Sequence, residues 1–274
     1  MNSTCIIGFD SAWANKAPGA ICALIQRADG NIDFIPPQPV QFDEALSFIK
    51  TRSEQCDACL VALDQPTIVP NARGFRPVEK VAGQVLGYLG GGVQPANRMK
   101  KGLFDDAAPI WSFKTSLSAT ECPETSRKAE TGLFIIEVFP ALALPGLNDA
   151  FHGRLKAPKY NPVNKKGPPN RKKFRTEDWL AVLETIKVFG ETAPIEGVSV
   201  WAQEMQQLSS PTKGDQDCVD AVICALTGYH WRTSSRENSI LIGDLDHGYM
   251  IVPTHKMLTE RIKAAAEERV VPFK

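Results

Sequence analysis

Apolar and polar positions along the chain follow two rhythms. Residues 5–10 ("CIIGFD"), 20–26 ("AICALIQ") and 32–40 ("IDFIPPQPV") are short, β-rich apolar runs joined by polar turns such as "ADGN". They predict an antiparallel meander, and the prolines of the third run put it at a sheet edge. From residue 42 the period lengthens. Phe42, Leu46 and Ile49 share one face of a helix over 42–54. "CLVALD" (59–64) and "LFIIEVF" (133–139) read as two further buried strands. Helices are predicted over 78–89, 109–119, 176–190, 198–208, 215–231 and 255–268, with a hairpin over 239–253. In the helix from 176, Thr176 is a candidate cap and Gly190 a candidate stop. Asp215 is the candidate cap of the next apolar helix but one.

Strands that alternate with helices after a meander predict an α/β fold: a mixed five-stranded sheet flanked by helices, with a late β-hairpin. No internal repeat or linker divides the chain, so residues 1–274 are expected to form one domain, with insertions at about 70–130 and 150–210. The second insertion carries a shift in composition. Residues 153–175 hold nine Lys or Arg, four prolines and no acid. Such a segment reads as a basic loop or arm.

Three strand-like runs each deliver a carboxylate: Asp10, Asp64 and Glu137. Strand interiors disfavour such residues. If the first and fourth strands are parallel neighbours, Asp10 and Asp64 lie side by side, beyond the strand ends where open α/β sheets bind ligands. Asp217 and Asp220 share one face near the start of an apolar helix that would pack on the sheet. So many acids in one place would repel one another unless their pKa values rose or a cation joined them. An all-oxygen ligand set suits Mg²⁺ or Mn²⁺ rather than zinc. Four of these acids also have a plainer reading. Asp10 and Asp64 suit turns, Glu137 could pair with a basic residue, and Asp217 suits a helix's first turn.

The ordered set "IGFD", "VALDQP", "IIEVFPA" and "DQDCVDAVICAL" resembles the RNase H-like superfamily. More narrowly, together with "RGFRPVE", "VQPANR" and "HGYMIVP", it resembles the predicted RNase H-like nucleases of the domain-of-unknown-function 429 family. The 217/220 pair is similar to the last acidic pair of RuvC-type resolvases. The resemblance implies a two-metal phosphodiesterase site built from Asp10, Asp64 and a helical aspartate, with Glu137, Asp217 and Asp220 as its further candidates. Two such ions activate a water and stabilise the leaving oxygen of a phosphodiester. The expected partner is nucleic acid, DNA or RNA. A non-catalytic binding module that keeps the fold is the alternative, and an actin-fold phosphotransferase a more distant one.

Arg73, Arg76, Arg98, Lys100 and Lys101 are candidates for a phosphate-binding groove. Lys165, Lys166, Lys172 and Lys173 are candidates for tracking a nucleic-acid backbone, with Tyr160 or Phe174 stacking on bases. Trp13, next to Asp10, could stack on a base or simply pack locally. No histidine falls within the acidic motifs. Net charge is zero, which neither favours nor excludes nucleic acid. The seven cysteines, "CDAC" (56–59) included, read as reduced thiols, which with the lack of a signal-like N-terminus predicts a cytoplasmic protein. No apolar run approaches the roughly 18 residues of a membrane span.

Overall fold

The computed structural model of the chain describes residues 3–27, 29–153, 156–162 and 174–274. Three strands, β1 (Thr4–Asp10), β2 (Gly19–Gln26) and β3 (Ile32–Val40), form the expected antiparallel meander. Helix α1 (Phe42–Ser53) leads into β4 (Ala58–Asp64), which pairs with β1 in parallel. Helices α2 (Pro77–Tyr88), α3 (Pro109–Leu117) and α4 (Pro123–Lys128) precede β5 (Gly132–Glu137), parallel to β4. Helices α5 (Pro140–Leu147) and α6 (Thr176–Thr192) follow, then β6 (Ile195–Glu196) and α7 (Val198–Gln206). Long helix α8 (Lys213–Thr233), hairpin β7 (Ser239–Asp244) and β8 (Gly248–Pro253), and α9 (Lys256–Arg269) complete the order.

The main sheet runs β5-β4-β1-β2-β3-β6 and the hairpin forms a separate two-stranded sheet. The mixed α/β sheet is thus as expected, except for a sixth strand. That strand is two residues long and adds to the proline-rich β3, so β3 is not quite the edge. Two residues carry too little pattern to be read from sequence. The short helices α4 and α5 also escaped the periodicity, because neither spans three turns.

The pleat divides the core. Cys5, Ile7 and Phe9 of β1 and Cys59, Val61 and Leu63 of β4 pack with Phe42, Ile49 and Phe113, on the side of α1 and α3. Ile6 packs on the opposite side with Val222 and Leu226 of α8. Leu60 and Ala62 face the same way, against Cys224 and Trp231. Successive side chains alternate faces, so residues 6, 8 and 10 of β1, and 60, 62 and 64 of β4, look toward α8.

Helix α8 lies close on β1 because Gly8 has no side chain. A Cβ at Gly8 would stand 2.0 Å from the Ala221 carbonyl oxygen and 2.4 Å from the Ala225 nitrogen. Thr212, not Asp215, caps α8. Asp215 is the third helical residue of a capping box and accepts from the Thr212 backbone N–H at 2.7 Å. Gly190 does not end α6 either. It lies inside the helix, where a Cβ would meet Val198 at 2.9 Å. No helix among the described residues is long and apolar enough to cross a membrane.

Candidate functional site

Asp10 and Asp64 are register partners on adjacent parallel strands, at the carboxyl ends of both. By the pleat both face α8, and Asp220 is buried on that helix, one residue before the Ala221 that touches Gly8. The three carboxyls share one cleft of about 570 Å³. Its walls include Trp13, Gln65, Tyr160, Lys213 and Gln216 on the polar side and Leu86, Phe139 and Met250 on the apolar side. Glycines 91 and 92, from the turn after α2, form part of its rim.

Charge is crowded here. Burial, and then the neighbouring charges of Asp64, Asp220 and Asp217, raise the Asp10 pKa well above an ordinary aspartate's. Asp64 is raised in the same way, by burial and then by Asp220 and Glu137. Asp220 is pushed up to about 6, chiefly by burial. It differs from the other two in having donors: the Tyr160 hydroxyl gives Oδ1 a hydrogen bond of 2.6 Å, and the Gln216 amide donates to Oδ2. No such donor reaches the Asp10 or Asp64 carboxylate among the described residues.

A cation acts on all three carboxylates: Lys213, on the first turn of α8, which pairs with Asp217. Burial works against its charge, but Asp10 and Asp217 raise its pKa. Asp217 itself is partly buried and turned to Lys213, and it does not line the cleft.

Glu137 lies elsewhere in register. Its partner on β4 is Leu63, not Asp64, so the pleat turns it toward the α1–α3 side. There the fully buried Arg76 grips it with two hydrogen bonds of 2.9 and 2.6 Å. The Thr67 backbone N–H donates to the same carboxylate at 3.0 Å. Arg76 also donates to Glu79 at 2.8 Å and to the Ile68 carbonyl at 3.1 Å. Glu79 in turn accepts from the Ala96 N–H at 3.0 Å. Burial opposes the Arg76 charge, but Glu137 and Glu79 outweigh it and raise its pKa.

This qualifies two expectations. Arg76 does line the cleft, but its guanidinium is spent on Glu137, Glu79 and the Ile68 carbonyl. Glu137 touches the cleft wall, but its oxygens belong to Arg76 and Thr67. The signal for this network was present in sequence: Arg76 precedes Pro77 and stands three before Glu79, the spacing of a helix start with a capping acid.

Three other predicted cations stand apart from the cleft. Arg73 is exposed and Arg98 and Lys100 partly so, and none lines the cleft. Arg98 is engaged locally: it donates to the Phe104 carbonyl at 2.9 Å and stacks over the Trp111 ring at 4.8 Å. Lys165, Lys166, Lys172 and Lys173 lie outside the described residues. Tyr160 and Phe174 are both buried, so neither is placed to stack on a base. Trp13 packs edge-on against Phe104, at 5.8 Å, while lining the cleft.

Among the described residues, no three His, Cys, Asp or Glu side chains are arranged to hold a metal ion. Asp217, Asp220 and Glu137 are each turned to a protein donor, which leaves Asp10 and Asp64 as the open pair. The residues that sequence reasoning missed are Gln65, Lys213 and Gln216. The latter two each lie four residues before a carboxylate on α8, Asp217 and Asp220, a spacing that could have marked them.

The fold and the cleft together define a mixed α/β protein with an acidic site at the carboxyl ends of its parallel strands. The chain belongs to the family described as protein of unknown function (DUF429), whose model matches residues 8–242. No curated protein and no solved structure matches it.

Proposed function

We propose that this protein is a nuclease that hydrolyses phosphodiester bonds with Mg²⁺ or Mn²⁺, on an RNase H-like scaffold. The observation that carries the reading is the in-register pair Asp10 and Asp64, facing a third buried carboxylate from α8. A protein does not cheaply keep three acids whose burial and mutual repulsion all favour protonation. A divalent cation removes that cost.

The residues present fit such a cation in their chemistry. All the candidate ligands are hard oxygens, as Mg²⁺ and Mn²⁺ prefer. In addition, the Gln216 amide oxygen is buried without a donor in the cleft lining. Asp10, Asp64 and Asp220 would hold the metal, with Asp10 and Asp64 supplying the oxygens that no protein group has claimed. Bound there, the ions would supply a water activated at neutral pH and charge stabilisation at phosphoryl oxygens. Lys213, beside Asp10, offers a positive charge to a substrate phosphate. The cation-rich 153–175 sequence supports nucleic acid as the partner.

One observation favours a non-catalytic nucleic-acid-binding module instead: three of the five candidate acids are already tied to protein donors. The test is cleavage of single- and double-stranded DNA and RNA in EDTA, Mg²⁺ and Mn²⁺, with ATP hydrolysis measured alongside. Metal-dependent cleavage is expected, and Asp10→Asn should lower it by about 10² or more. Equal turnover by wild type and mutant on a cleaved substrate would overturn the assignment. ATP hydrolysis without cleavage would point to a phosphotransferase.

A further inference from the structure

The three cleft carboxylates are not held alike. Asp10 and Asp64 sit on the rigid ends of paired strands, so their backbone positions are fixed by the sheet. Asp220 comes from a helix and needs its side chain aimed. Two neutral donors do this, one on each oxygen. The Tyr160 hydroxyl, in a residue only 8% exposed, reaches Oδ1 at 2.6 Å. The Gln216 Nε2 amide, one helical turn before Asp220, reaches Oδ2.

The orientation of that amide is fixed by its partner. Turning Gln216 over would set its oxygen against the carboxylate, so Nε2 faces Asp220 and Oε1 is left without a donor. Tyr160 is fixed from a different direction. It is bridged to Phe174, the adjoining Arg175 N–H donates to the Lys159 carbonyl at 2.6 Å, and the Lys159 N–H donates to Asp178 of α6 at 2.6 Å. The hydroxyl therefore arrives on a backbone tied to α6, not on a loose loop.

We infer that Tyr160 and Gln216 are positioning residues that hold Asp220, one donor per oxygen, in the cleft it shares with Asp10 and Asp64, from which it would join them on a divalent cation. The inference rests on the metal-site reading above. A carboxylate oxygen that accepts one hydrogen bond keeps a second lone pair, so the clamp leaves each oxygen able to ligate. Neutral donors suit this task better than a cation, since a lysine or arginine at the same place would compete with the metal for the charge. Partners that hold a ligating group in this way commonly contribute 10- to 100-fold in metal affinity.

The experiment measures Mn²⁺ binding to the whole protein by calorimetry and by the loss of the free-ion electron paramagnetic resonance signal. It compares wild type, Tyr160→Phe, Gln216→Met and Asp220→Asn, with melting curves in EDTA to establish folding. Tyr160→Phe removes one oxygen atom and keeps the ring, so it should fold. Gln216→Met keeps the side-chain length without the amide and tests the other half of the clamp should the first variant melt early. The expected result is Mn²⁺ affinity lowered about 10-fold or more in each clamp variant, toward the level of Asp220→Asn, with EDTA melts close to wild type. Wild-type affinity in a folded Tyr160→Phe and a folded Gln216→Met would overturn the clamp while leaving the metal site standing. No Mn²⁺ binding by folded wild type would overturn both.

Discussion

At Glu137 a buried carboxylate accepts two hydrogen bonds from one guanidinium, and both partners are almost wholly out of water. The pair is costly to form and more costly to break, because the survivor is a buried, half-partnered charge. Glu137→Gln should therefore lower unfolding free energy by about 3 kcal/mol or more, measured by urea denaturation. Mn²⁺ affinity should stay close to wild type. Were Glu137 a metal ligand instead, the same substitution would weaken Mn²⁺ binding sharply and cost less stability. The residue's apolar surroundings were visible in "LFIIEVF", and so was the choice between a ligand and an ion pair. The choice itself was not, because it hangs on one step of strand register. Shifted by one residue, Glu137 would sit opposite Asp64 and face the cleft.

Most elements were legible because each carries its own period: alternating or continuous apolar runs for β1, β2 and β4, and a 3.6-residue stripe for α1, α6 and α9. What periodicity does not report is how close two elements come. Helix α8 is apolar on most sides, so its pattern announces burial without naming the face that meets the sheet. Two glycines decide that. Gly8 brings the Ala221 and Ala225 backbone against β1, and Gly228 lets the helix settle over Ile6 and Ala62. The contact at Gly8 is backbone on one side, and backbone cannot turn away. At Gly228 the neighbours are side chains, Ile6 Cγ2 at 2.9 Å and Ala62 Cβ at 3.1 Å. Gly8→Ala should thus cost about 3 kcal/mol or more, at the upper end of overpacking, and Gly228→Ala about 1–2 kcal/mol. Gly8→Ala should also weaken Mn²⁺ binding, since it lifts Asp220 from Asp10. Comparable small losses in both variants, with metal binding intact, would show that the helix has slack over the sheet.

Over the whole molecule positive and negative residues balance, 31 against 31, so the charge of the cleft is a local concentration and not a global bias. That the strands would bring Asp10 and Asp64 together could be argued from sequence, since both end apolar runs that a meander and a crossover make neighbours. That Tyr160 would reach Asp220 could not, because its backbone is held there by contacts across the basic segment, to Phe174, Arg175 and Asp178. The cleft has a consequence for the stability of the entire fold. Asp10, Asp64 and Asp220 all have folded-state pKa values above the unfolded value of about 3.9. Between the two values the folded state binds more protons than the unfolded one, so stability falls as pH rises. For Asp220 that loss runs up to about pH 6, and Asp10 and Asp64 add to it in the same direction. In EDTA, raising the pH from 5 to 7.5 should therefore erode wild-type stability more than that of Asp10→Asn, which lacks one of the repelling charges. At pH 7.5 the metal-free mutant should be at least as stable as metal-free wild type. Mn²⁺ should reverse the ranking, adding about 2.7 kcal/mol to wild type at a hundred times its dissociation constant and little to the mutant. Urea denaturation of both proteins at the two pH values, with EDTA and with Mn²⁺, measures all four quantities. A turn residue at position 10 would give the opposite pattern: a mutant less stable than wild type at both pH values, with neither protein answering to metal.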